Sequence, residues 1–142
     1  MKSTLLPVMI AAALAAGPAV SQDAQPRPRF VWPERMQNPR ALPAGLGGQE
    51  LRATMLGFVT ALDVSCSHCH AGGEDVPLTE RDFASDANPR KEIARGMIRM
   101  VRQLNETTLP GIAGLGTPRV TCYTCHRGAT EPAIAPPPET AQ

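Results

Sequence analysis

Two stretches of the chain place apolar residues at the three- and four-residue steps of an amphipathic helix. In GGQELRATMLGFVTALDV, Leu51, Met55, Phe58, Val59 and Leu62 share one face. The other side, Ala53, Thr54, Gly57, Thr60 and Ala61, is made of small residues, so another helix or a flat ring can approach closely. The spacing predicts a helix over about residues 49–62 that delivers the chain to Cys66. In NPRKEIARGMIRMVRQLN, Asn88 is a good N-cap and Pro89 a good first helical residue. Ile93, Met97, Met100, Val101 and Leu104 fall on one face of this second helix, with Lys91, Arg95, Arg99 and Arg102 nearly opposite. The pattern stops at LPGIAGLGTP, a Pro/Gly-rich loop leading to Cys122.

Outside these helices the pattern thins. Residues 1–21, MKSTLLPVMIAAALAAGPAVS, combine Lys2, a short apolar run and small residues at Ala19 and Ser21, the form of a secretory signal peptide. The run is too short for a comfortable membrane span, and no transmembrane segment is expected after cleavage. Residues 22–48 read as a Pro/Arg-rich arm anchored by Phe30 and Trp32, residues 49–128 as the working domain, and residues 129–142 as a flexible Pro-rich tail.

Composition sharpens the picture. Removing residues 1–21 takes away Lys2 alone among the charges, so the 14 basic residues fall to 13 against 13 acidic ones. Such a balance offers nothing to nucleic acid. With 15 Pro, 12 Gly and only 4% aromatics, the conventional core is thin, and a domain of this kind needs staples, a metal or a large apolar cofactor.

The cysteines supply the candidate. DVSCSHCH (63–70) and TCYTCHRG (121–128) each hold Cys-x-x-Cys with His directly behind it. Disulfides suit an exported protein, and two Cys-x-x-Cys pairs can meet around zinc, but neither reading needs the histidines. Covalent c-type haem attachment does: two thiols bond to the porphyrin and the next His is the proximal iron ligand. Two of the only three histidines occupy that position. Cys66 and Cys69 therefore read as attachment points of one haem, with His70 on its iron, and Cys122 and Cys125 as those of a second, with His126. His68, between two attachment cysteines, reads as a partly exposed spacer.

With both proximal positions filled, bis-histidine ligation of both haems is not available. The candidates for the sixth ligand are methionines, and Met55 stands on the helix immediately ahead of the first motif. Met97 and Met100 compete for the second haem, and spacing alone does not separate them.

Helix–CxxCH segments with FASD, then KEIARGMIRMVRQLN and VTCYTCHRG, resemble the cytochrome c subunit of bacterial photosynthetic reaction centres over about residues 51–128. The resemblance implies repeated helix–turn–CxxCH units, mostly with His and Met as axial ligands. By position it pairs Met55 with His70 and Met100 with His126, leaving Met97 as a packing neighbour. Two motifs make only half of that family's four-haem subunit.

The fold expected is all-α: an irregular multihaem cytochrome c of two main helix–CxxCH units and long loops, largely unfolded without its two covalently bound haems. The expected function is periplasmic electron transfer between redox partners, periplasmic or membrane-bound, through two His/Met-ligated haems. The alternatives are an electron-relay subunit of a larger membrane-associated or reaction-centre complex, and a dihaem peroxidase-like enzyme, which would need an open iron site. The basic stripe at Lys91, Arg95, Arg99 and Arg102 reads as a docking face for an acidic partner, a solvated helix face, or a set of counter-ions for haem propionates.

Overall fold

The structure is a computed structural model that describes residues 28–117 and 119–136. The expected signal peptide and the last six residues of the tail lie outside them. Among the described residues every regular element is helical and there is no strand. Helix α1 spans Gly48–Leu62, α2 Arg90–Gln103 and α3 Cys122–His126. A single 3-10 turn covers Cys66–His68, and α2 continues through a π-helical turn, Leu104–Thr108, into a 3-10 turn, Leu109–Gly111. No described helix is long and apolar enough to cross a membrane.

Helix α1 begins one residue before the expected start. It ends where Asp63 turns left-handed at φ 50°, a conformation Asp tolerates, with its N–H bonded to the Val59 carbonyl. The small side of α1 receives α3, as its composition predicts: the two helices pack together, and the Gly128 N–H donates to the Ala61 carbonyl at 3.0 Å. The start of α3 is fixed by a reciprocal cap, in which the Thr124 N–H donates to Thr121 Oγ1 at 3.3 Å and the Thr121 N–H to Thr124 Oγ1 at 2.9 Å. Upstream, Asn105 clamps the chain just before it. Its Nδ2 donates to the Val120 carbonyl at 2.8 Å while its Oδ1 accepts from the Val120 N–H at 2.9 Å.

The N-terminal arm docks on its own chain. The Gly48 N–H donates to the Pro33 carbonyl at 2.8 Å and the Met36 N–H to Leu46 at 2.9 Å. Gly47 passes so close to Glu34 that a Cβ there would collide with the Glu34 carbonyl. Both expected aromatic anchors are used: Phe30 meets Trp32 edge-on at 5.2 Å and Phe83 at 5.2 Å.

Little apolar surface is buried by protein alone. The buried apolar residues among those described are Ala41, Leu51 and Ala61, and no large side chain is fully enclosed. Since enclosing one Leu, Phe or Met contributes only about 1.5–3 kcal/mol, this core is far too thin to offset the conformational entropy of ordering the chain.

Helix α2 is turned inside out relative to an ordinary surface helix. Arg95 is 6% exposed, whereas Ile93 is 63%, Met97 43% and Met100 46% exposed. Within the basic stripe Lys91 and Arg95 are covered, while Arg99 and Arg102 stay exposed. Lys91 Nζ donates to the carbonyls of Phe83, Ala84 and Ser85 at 2.9, 3.0 and 2.7 Å. Arg95 donates to Asp86 at 2.7 Å and Glu92 at 3.0 Å, Arg99 to Glu92 at 3.1 Å, and Arg102 to the Ala41 carbonyl. Buried cations need partners, so Lys91 and Arg95 are held against the preceding loop, and the apolar face is left outward.

Candidate haem site

That outward face borders a largely apolar cavity of about 760 Å³. Its walls are Leu51, Met55, Phe58 and Leu62 from α1, Ile93, Ala94, Met97 and Ile98 from α2, and Phe30 and Trp32 from the arm. Cys66, Cys69 and His70 of the first motif line it, as do Cys122 and His126 of the second. The structure thus brings Met55 to the same wall set as the whole first motif. Of the other expected site residues, Met100 and Cys125 do not line this cavity, and Met97 does.

Local backbone geometry explains why these members of each motif share a surface. Residues four apart lie on one face of a helical turn. The His70 N–H donates to the Cys66 carbonyl at 3.0 Å, closing such a turn, and Cys122–His126 is the whole of α3. All four cysteines are unpaired, and among the described residues no group of three or more His, Cys, Asp or Glu side chains converges as a metal site. Burial pushes the Cys69 and Cys122 thiols up.

The two histidines are held differently. His126 Nδ1 lies 2.9 Å from the Ala129 carbonyl, a bond that fixes the ring and leaves Nε2 available for a metal. His70 Nδ1 is buried without a hydrogen-bond partner, and the ring stands edge-on to Phe83 at 4.9 Å. Burial, helped by the nearby Lys91 charge, pulls its pKa down, and the opposing influence of the Phe83 carbonyl, which already accepts from Lys91, is weaker. The neutral ring is the form that ligates iron. His68, expected to be a spacer, is half-buried and also lines the cavity, and its carbonyl accepts from Asn88 Nδ2 at 3.0 Å.

Three residues that matter here carry no periodic signal in the sequence. Phe83 packs on His70. Asp86 gathers Asn38, Arg40, Lys91 and Arg95 around one carboxylate. Arg81, 8% exposed, holds the loop after His70 by donating to the carbonyls of Ala71, Gly72, Gly73 and Val76 at 2.8–3.0 Å. That loop needs glycine at position 72, where φ is +93° and a Cβ would press on Val76 and Arg81.

An apolar cavity bordered by thiols, a neutral buried imidazole and a thioether suits a flat apolar ring carrying iron. The outward apolar face of α2 is the surface such a ring would cover. Such a site is one that a c-type cytochrome, a class that transfers electrons by covalently attached haem, would need. The family model described as photosynthetic reaction centre cytochrome c subunit matches residues 42–135, and the chain belongs to that family. It is 33% identical over 86 residues to cytochrome c-554 of Chloroflexus aurantiacus, covering 60% of this chain and 19% of the relative. With the photosynthetic reaction center cytochrome c subunit of Thermochromatium tepidum it shares 34% identity over 88 residues, 61% of this chain and 19% of the relative. The subunit of the same name from Rubrivivax gelatinosus is 33% identical over 67 residues, 47% of this chain and 15% of the relative. The chain therefore spans less than a fifth of the length of these relatives.

Proposed function

We propose that the chain is a periplasmic dihaem electron carrier in which both irons are closed by His and Met. The observation that carries this is the placement of Met55, Cys66, Cys69 and His70, with Cys122 and His126, around one apolar cavity. Cys66 and Cys69 would hold the first haem and Cys122 and Cys125 the second. His70 and Met55 would be the axial pair of the first, and His126 and Met100 that of the second. When bound, haem supplies a one-electron iron couple, and a thioether opposite imidazole favours the ferrous state.

The chain's own contribution is positional. Met55 is set by α1, His70 by the turn from Cys66, and His126 by its bond to Ala129. Phe30, Trp32 and Phe83 pack together on the wall of the cavity that the first motif lines. If His and Met fill both axial positions of each iron, no position would be left for an external ligand, which would favour electron transfer over peroxidase chemistry.

Two finer readings have an observation of their own. Met97, not Met100, lines the cavity beside Cys122 and His126, which favours it as the alternative second distal ligand. Family membership favours a relay subunit of a larger membrane-associated complex as the setting.

The test is intact-mass measurement and redox titration of the exported holoprotein, followed by carbon monoxide added to the reduced form. Two haems per chain and no carbon monoxide adduct support the closed-site carrier. A single haem, or rapid carbon monoxide binding to native protein, overturns it.

A further inference from the structure

His70 is left short of an acceptor by its own surroundings. Its ring lines the cavity, and Nδ1, sealed among protein atoms, has no hydrogen-bond partner. A ligating histidine ordinarily hands that N–H to a carbonyl or carboxylate, which fixes the ring and strengthens its donation to the metal. The Phe83 carbonyl is near enough to favour the protonated ring, yet no hydrogen bond to it forms. That oxygen is occupied by Lys91, whose Nζ lies 2.9 Å from it and reaches the Ala84 and Ser85 carbonyls at 3.0 and 2.7 Å. Three successive carbonyls thus converge on one ammonium. Asp86 does not draw Lys91 away: its Oδ1 is 3.5 Å from Nζ and already accepts from Arg95 at 2.7 Å.

The second motif supplies the contrast. His126 Nδ1 lies 2.9 Å from the Ala129 carbonyl, and among the described residues no cation bonds to that oxygen. We infer that Lys91 is a positioning residue of the first haem: by holding the Phe83 carbonyl away from His70 Nδ1–H, it keeps His70 a weak donor and the iron at the higher potential. This rests on the dihaem reading above. An ammonium on a carbonyl makes a charge-assisted bond, stronger than the neutral one His70 would make, so Lys91 decides where the oxygen points. A weaker imidazole donor stabilises ferric iron less. Lys91 also lines the cavity, and its charge acts in the same direction, so a potential alone does not separate the two effects.

The experiment compares wild-type and Lys91→Met holoprotein in two ways: by redox titration, and by NMR of proton exchange at the His70 ring N–H in the ferrous state. Met keeps an apolar stem and removes both donor and charge. One wave is expected to fall, the one that a Met55→His variant also moves, while the other stays in place. The freed carbonyl should then slow exchange of the His70 ring N–H roughly two- to tenfold, the range that one net hydrogen bond gives. A fall in potential with unchanged exchange would show that only the charge matters and would overturn the inference. An unmoved wave, or equal falls in both, would overturn it as well. Should K91M fail to fold, a crystal structure of wild-type holoprotein decides. The Phe83 oxygen on Lys91 and out of hydrogen-bond reach of His70 Nδ1 supports the inference, and a bond from Nδ1 to that oxygen overturns it. Loss of the dihaem reading would announce itself separately, as a wild-type mass with one haem.

Discussion

Arg95 reaches inward from α2 to donate to Asp86 at 2.7 Å, and Asn38 of the arm meets the same carboxylate at 3.0 Å. One side chain thus joins the helix beside the second half of the site to the arm that covers the first. The Arg95 hydrogen bond, followed by that from Asn38, holds the Asp86 carboxyl well below its ordinary 3.8. Glu92 is lowered in the same direction, by Arg95 and then Arg99.

These depressed carboxylates set the acid limb of stability. A carboxylate that binds its proton less readily folded than unfolded contributes fully above its unfolded value and loses that contribution as pH falls toward the folded one. Holoprotein should therefore be steady above about pH 5 and lose stability progressively as pH falls through 4 and below. Asp86→Asn should melt at a lower temperature at pH 7 and show a shallower acid limb. Thermal melts between pH 2 and 7 check this, and an unchanged slope would refute it.

Removing one thioether at a time separates the distal ligands. Met55→Ala should abolish roughly half of the ferric methionine–iron absorption band and open one haem to carbon monoxide. Met100→Ala should do the same for the other haem and Met97→Ala should not. If the effects of Met97→Ala and Met100→Ala are exchanged, the cavity lining was the better guide.

The Asn105 clamp has no counterpart elsewhere in the chain's described bonding. Asn105→Ala would leave the Val120 N–H and carbonyl without partners, at a cost of about 1–3 kcal/mol. A lower melting temperature with unchanged haem content is the expected result. A wild-type melt would show that water replaces the side chain.

The two proximal histidines should give unequal centres. The bond from His126 to the Ala129 carbonyl makes its ring the stronger donor to iron, while His70 has no such partner and sits against Phe83. Stronger donation and wider exposure both favour ferric iron, so the second haem should have the lower potential. Two separable waves in a redox titration are expected, the higher one falling in Phe83→Ala as water enters. Coincident waves would contradict this.

Much of the fold was legible in local pattern. The apolar face of α1 and its small-residue back follow from helical spacing, and α2 starts one residue later than expected, at Arg90 behind Pro89, with the Asn88 Oδ1 accepting from the Arg90 N–H at 3.1 Å. The arm's anchors were legible because aromatics are so few. The orientation of α2 was not. The habit of placing charge outward and methionine inward holds when water is the only alternative to protein, and a cofactor surface that would cover this face removes that condition. The roles of Arg81, Asp86 and Phe83 were not legible, although FASD (83–86) helped to carry the resemblance: they lie in a non-repeating loop and gain meaning only from carbonyls and rings brought to them by the fold. The second motif's ties, Gly128 to Ala61 and Asn105 to Val120, join residues far apart in sequence and leave no periodic trace.

The outward face of α2 also bears on the life of the chain before its haems arrive. Ile93, Met97 and Met100 would then present a sticky strip to any other protein nearby. A precursor that waits too long for attachment is thus marked for aggregation or proteolysis by the same residues that later disappear beneath the ring. Completion of the cofactor sites and escape from quality control become one event.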